Sequence, residues 1–265
     1  MTDDDSNRIY RGLLKDAEAD KNIAGVILAG SRARCMQNAN SDWDVYIIFN
    51  NVITSKEIDD YKKSYWESYK DFKLDISNKA LQTVAEFSHY AELDSDYYWD
   101  RYNLVHAKLE IDKTNGEIIR LLSKINTVTP REQKQIVDFT LGDYISLVYR
   151  SMKSYELGKL HAAIVDAAES IRFMLTSLFA FYSRVRPFNK YLEWEINNYP
   201  LADFKWDTNE FMEMLSKIIR DADMAIQQKL YLEIEKMARA RGFGYKYDAW
   251  GEKIKYVNNQ NFSDK

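Results

Sequence analysis

Asp42 and Asp44 stand one residue apart at the opening of an apolar run, Val45-Tyr46-Ile47-Ile48-Phe49. Side chains of a strand alternate faces, so if this run is a strand the two carboxylates project from one side. Like charges held that close repel, and a divalent cation between them is the natural remedy. Upstream, another apolar run, Gly25-Val26-Ile27-Leu28-Ala29, ends in Gly30-Ser31. A glycine has no Cβ, so such a turn can bring backbone N–H groups up to an anion. An anion cradle beside a metal-binding carboxylate pair is the equipment of phosphoryl or nucleotidyl transfer.

The motif as a whole reads Gly30-Ser31-Arg32-Ala33-Arg34, a polar spacer, then Ser41-Asp42-Trp43-Asp44. It resembles the nucleotidyltransferase superfamily of the DNA polymerase β type. Within that superfamily the nearest likeness is to the small bacterial aminoglycoside and lincosamide nucleotidyltransferases and their relatives. The family pattern often carries a glycine after such a Ser-Arg-Ala-Arg run, where this chain has Cys35. The resemblance implies transfer of a nucleoside monophosphate, AMP from ATP in the first reading, to an acceptor hydroxyl with release of pyrophosphate. Asp42 and Asp44 would hold Mg²⁺, and Ser31 with the backbone at Gly30 would contact the terminal phosphates. A third acid is also implied. Asp75 sits in the short alternating run Phe72-Lys73-Leu74-Asp75-Ile76-Ser77, and an aspartate inside an apolar strand is costly unless its charge is compensated. Asp75 is therefore the third expected metal ligand, placed to help deprotonate the attacking hydroxyl.

The second half of the chain supplies candidate cations. Arg150 and Lys153 lie three apart, on one helix face, and Lys190 is expected in the first turn of a helix after Arg186-Pro187-Phe188. By resemblance, Lys153 and Lys190 are candidates for the triphosphate, with Arg150 behind them. Asp166 and Glu169 are placed opposite the apolar stripe of their helix, where a solvated face is the plainer reading and an acceptor-binding or general-base role the sharper one.

These groups need a scaffold. Ile23 to Ala29 and Val45 to Phe49 read as buried strands, with a short helix after Ser31. Ser6 is expected to cap a first helix (Ile9, Leu13, Leu14 and Ala17 inward), and Ser55 another with Ile58, Tyr61, Tyr65 and Tyr69 inward. A further strand is expected over Asn103 to Ile111, then a turn through Gly116 into a helix. From Pro130, a residue suited to the first helical turn, the pattern becomes all-helical. An α+β fold follows, with a nucleotidyltransferase domain over 1–127 and a helical bundle over 128–265. The aromatic stretch after Arg241 is expected to be irregular and docked on the body.

Composition sets the remaining bounds. The chain has 265 residues, above the usual size of one domain. With 46% hydrophobic and 29% charged residues it can build an ordinary globular core. Only 3 prolines and 9 glycines favour long helices and short loops. A net charge of −4 gives no general attraction to nucleic acid, and suits a small cationic acceptor better. One cysteine, Cys35, excludes an internal disulfide and fits a reducing cytoplasm. The acidic N-terminus lacks the apolar core of a signal peptide, and no apolar run is of membrane-spanning length. His89, His106 and His161 have no zinc-like spacing. The expected protein is a cytoplasmic monomer or homodimer. Two alternatives stand beside the small-molecule enzyme: a toxin-type nucleotidyltransferase acting on protein or tRNA, and a nucleotide-binding homologue without catalysis.

Overall fold

The computed structural model describes residues 3–69, 74–75, 81–92 and 100–259, without the side chains of residues 3, 4, 66, 69, 74 and 75. The fold is mixed α+β. The chain divides into two compact units, Met1–Thr127 and Val128–Lys265.

The first unit runs α1 (Asp3–Ala19), β1 (Ile23–Leu28), α2 (Gly30–Ala33), β2 (Trp43–Phe49), α3 (Ser55–Tyr69), β3 (Leu74–Asp75), β4 (Leu81–Thr83), α4 (Val84–Ser88), α5 (Arg101–Leu104), β5 (Lys108–Asp112) and α6 (Glu117–Ile125). The sheet is centred on β1 and β2, which pair antiparallel with Leu28 opposite Val45. β5 adds antiparallel to β1. On its other edge β2 takes two short parallel strands, β3 beside its start and β4 beside its end. Every residue of β1 is buried, and so is every residue of β2 except Asp44. Unbroken apolar strands of this kind belong to a sheet covered on both faces.

Both covers are present. Trp43, Val45, Ile47 and Phe49 of β2 join Tyr10, Leu13 and Ala17 of α1 and Ile58 of α3 in one core. Tyr46 and Ile48 point the other way, into a core with Phe87 of α4, Leu104, and Ile118, Leu122 and Ile125 of α6. Gly25 lets α6 and β5 come close to β1, since a Cβ there would stand 2.4 Å from Ile118 Cδ1 and 2.8 Å from the Ile111 carbonyl oxygen.

Some expected boundaries move. Ser6 is buried inside α1 rather than capping it. Thr54, not Ser55, caps α3, by a reciprocal pair with Glu57. The strand expected over Asn103 to Ile111 is shorter, because Arg101–Leu104 winds into the helical turn α5 and only Lys108–Asp112 is extended. The cause is Arg101. Its fully buried guanidinium donates to the carbonyls of Lys124, Ile125 and Thr127 at 2.6–2.9 Å, taking up carbonyls that the C-terminus of α6 leaves without helical partners.

The second unit is all helix: α7 (Pro130–Glu156), α8 (Leu160–Phe181), α9 (Leu192–Asn198), α10 (Thr208–Asp221), α11 (Met224–Ala240), α12 (Tyr245–Asp248) and α13 (Glu252–Asn258). Thr129 and Glu132 form a capping box around Pro130 at the start of α7. The aromatic tail is not irregular as expected. It forms α12 and α13, with Tyr247 fully buried and Tyr149 packing against Trp250 and Tyr256. No helix among the described residues is long and apolar enough to cross a membrane.

Replacing Arg101 with methionine keeps bulk but removes the side-chain donor from three carbonyls, of which only that of Lys124 retains a backbone N–H, from Thr127. Urea denaturation should show a loss of about 3 kcal/mol. A loss below about 1 kcal/mol would mean that the guanidinium is not what holds α6 to α5.

Candidate active site

The Gly-Ser turn joins β1 to α2, directly beside the start of β2. The Ala29 N–H donates to the Asp44 carbonyl at 2.8 Å, which closes the strand pair at this end. Gly30 then takes φ +64°, in the left-handed region. A Cβ built on it would stand 1.6 Å from Asp44 Oδ2 and 2.6 Å from its Cγ. The half-buried carboxylate of Asp44 therefore rests on the α-carbon of Gly30, at a separation no side chain on residue 30 would allow. The glycine and the acid, fourteen positions apart, are one packing unit.

Asp75 enters the same arrangement through strand register. β3 pairs with β2 so that Leu74 stands opposite Trp43 and Asp75 opposite Asp44. Residues directly across a ladder share a face, so positions 44 and 75 lie on the same side of the sheet. Asp42 sits one residue before β2 and is exposed, outside the ladder that the alternation rule assumed. Ser31 is half-buried in α2. Among the described residues, no three His, Cys, Asp or Glu side chains gather as a metal set. The Asp75 side chain lies outside the described residues. Carboxylate oxygens from positions 42, 44 and 75 would be a hard-donor set suited to Mg²⁺.

Three residues that sequence reasoning passed over build the surroundings. Arg32 Nε donates to the Asp42 carbonyl at 3.0 Å and Nη2 to the Ser41 carbonyl at 3.1 Å, with the guanidinium 4.3 Å from the centre of the Trp43 ring. Arg34 is buried and donates to the carbonyls of Gly30, Tyr102 and Val105 at 2.6–2.8 Å. Tyr46 is two residues beyond Asp44 on the same face, a placement the period of two already signalled. Burial, then Tyr90 and the carboxylates of Asp100 and Asp44, push its hydroxyl far above the ordinary phenol range.

Cys35 occupies the position where the resemblance expects glycine, and the backbone explains that expectation. Its φ is +56°. The Met36 N–H donates to the Ser31 carbonyl at 2.9 Å and the Cys35 N–H to the Arg32 carbonyl at 3.3 Å. These are the two bonds of a Schellman motif, whose left-handed residue is usually glycine.

In the second unit, the acid expected on a solvated face is not there. Asp166 is 6% exposed and holds Arg150 at 3.0 Å. The buried face of α8 takes in Ile171, Leu175 and Leu178 of the aliphatic stripe and, beside them, Ala163, Asp166 and Ser170, so it is wider than the stripe alone. Glu169 is exposed as expected. Lys153 pairs with Glu156 at 3.3 Å and lies 3.8 Å from the Tyr256 ring. Lys190 is exposed, 4.7 Å from the Tyr191 ring, in a short 3₁₀ turn that precedes α9.

No model of a known protein family matches the chain, and no curated protein matches it either.

Two substitutions test the turn. Gly30→Ala should displace the Asp44 carboxylate and strain a left-handed backbone by about 1 kcal/mol; thermal melting that matches wild type would show that the close approach is dispensable. Cys35→Gly should melt at or above the wild-type temperature, whereas Cys35→Val should lose about 1–2 kcal/mol.

Proposed function

We propose that the chain is a Mg²⁺-dependent nucleotidyltransferase that moves a nucleoside monophosphate, AMP from ATP, onto a hydroxyl of a small molecule such as an aminoglycoside or lincosamide. The observation that carries this reading is the approach of the Asp44 carboxylate to the α-carbon of Gly30, with position 75 in register across the sheet. A phosphate-type turn and a metal-type acid are joined there in one packing contact, and a mere helix cap needs no such contact.

Asp42, Asp44 and Asp75 would hold the cation. Bound Mg²⁺ would neutralise triphosphate charge and favour in-line displacement. The acceptor oxygen forms a bond to the α-phosphorus as its proton leaves to a carboxylate, with Asp75 the candidate base. The bond from the α-phosphorus to the bridging oxygen breaks, and pyrophosphate departs. Gly30 and Ser31 would contact the terminal phosphates. Lys153 and Lys190 remain candidates for that charge through the resemblance alone, while Arg150 is already bound to Asp166.

Titration calorimetry with a non-hydrolysable ATP analogue and Mg²⁺ tests the reading. Wild type should bind only with the metal, and Asp42→Asn or Asp44→Asn should weaken binding roughly 10-fold or more. Pyrophosphate release with hydroxylated acceptors would then identify the substrate. Binding without release on any acceptor would favour the non-catalytic homologue. Failure of wild type to bind any of the four ribonucleoside triphosphates would overturn the proposal.

A further inference from the structure

Asp42 presents a positional problem that Asp44 does not. Asp44 is fixed twice, by the ladder of β2 and by the glycine beneath it. Asp42 lies before the first ladder residue, exposed, at the end of a connection whose own bonds are local. Asn38 N–H donates to the Ser41 hydroxyl at 2.9 Å and Ser41 N–H to the Asn38 carbonyl at 3.0 Å. Two carboxylates share a cation only if their separation is held, so something must fix the main chain at Asp42.

We propose that Arg32 is the positioning residue for Asp42, and thereby for the cation site assigned above; the inference rests on that assignment for its functional part only. Its guanidinium donates to two consecutive carbonyls, those of Ser41 and Asp42, through two different nitrogens. Planar, forked donors suit such a pair, and an ammonium cannot reproduce them in one fixed geometry. The Trp43 ring lies against the guanidinium at 4.3 Å and stacks on Tyr10 of α1 at 4.0 Å, so the clamp is braced from the first helix. Arg32 also belongs to α2, the helix that begins with Gly30. The phosphate turn and the carboxylate outside the strand are thus held in register by one side chain. In this role Arg32 acts through the backbone of Ser41 and Asp42.

The rival role for an arginine here is direct contact with the triphosphate, and charge separates the two. Removing a positive charge near a cation site should by itself strengthen cation binding. If Arg32 positions Asp42, its loss does the opposite. Mn²⁺ alone, titrated by electron paramagnetic resonance against wild type, Arg32→Lys and Arg32→Ala, reads this without any nucleotide. Both variants should bind Mn²⁺ roughly 10- to 100-fold more weakly, with Arg32→Lys failing although it keeps the charge. Unchanged or tighter Mn²⁺ binding in both variants, with only the ATP analogue weakened, would overturn the proposal in favour of phosphate contact. Amide hydrogen exchange over residues 41–44 is the second readout, independent of any ligand. Exchange should quicken in Arg32→Lys, and unchanged exchange would overturn the clamp. If wild type binds neither Mn²⁺ nor nucleotide, the nucleotidyltransferase reading falls, and the exchange result alone decides the clamp.

Discussion

The close approach of the Asp44 carboxylate to Gly30 is the contact on which the rest of the first unit depends. It requires residue 30 to lack a Cβ and to take a left-handed φ. It requires β1 and β2 to end level, which the bond from the Ala29 N–H to the Asp44 carbonyl ensures. It also requires β2 to be immobile, and a strand packed on one face by α1 and α3 and on the other by α4 and α6 is immobile. Asp44 is the half-buried residue of that strand, and its carboxylate lies over the glycine. The cores on the two faces thus serve as the mount for one side chain.

How much of this was legible in the sequence depends on the range of the interaction. Periodicity exposed β1, β2, α1 and the long helices, since burial on one or both faces writes itself into neighbouring residues. The start of α7 was legible from Pro130, whose fixed φ suits the first helical turn. Asp75 drew notice in the sequence as a lone acid among aliphatics, and the backbone register puts position 75 opposite Asp44. The boundary of β5 was misread because Arg101 lies 23–26 positions before the carbonyls it binds, and no local pattern announces a buried arginine. Asp166 was misplaced for a related reason. The buried face of α8 is wider than the stripe of its large aliphatic residues and also takes in Ala163, Asp166 and Ser170.

The second unit shows the same economy with aromatic residues. Tyr144, Tyr231 and Tyr247 form a buried chain of ring contacts at 5.4–6.0 Å, and their burial drives each hydroxyl upward from the ordinary phenol range. Tyr247 belongs to the tail, so α12 is part of the core of this unit. The Tyr245 hydroxyl and the Lys246 ammonium both bind Asp138 of α7. The sequence could not show that the tail would fold into helices, because the helical turns there are only four and seven residues long. Such short helices are set by tertiary contacts and hardly by propensity.

The arginines bear on how the proposed chemistry would manage charge. Arg32, Arg34 and Arg101 each direct their guanidinium to main-chain carbonyls. Those carbonyls lie in turns and near the ends of elements, and two of them, Tyr102 and Lys124, also accept a backbone N–H. An arginine used in this way fixes geometry, and its donors are committed before a substrate arrives. A triphosphate bound at Gly30 and Ser31 would then find Arg34 directed to three carbonyls and two of the five N–H donors of Arg32 directed to two more. Its negative charge would fall to the divalent cation and to lysines outside the motif. Removing the metal should therefore cost nucleotide binding far more than removing any single lysine, since a divalent cation bridging phosphate and carboxylates offsets charge on both sides at once.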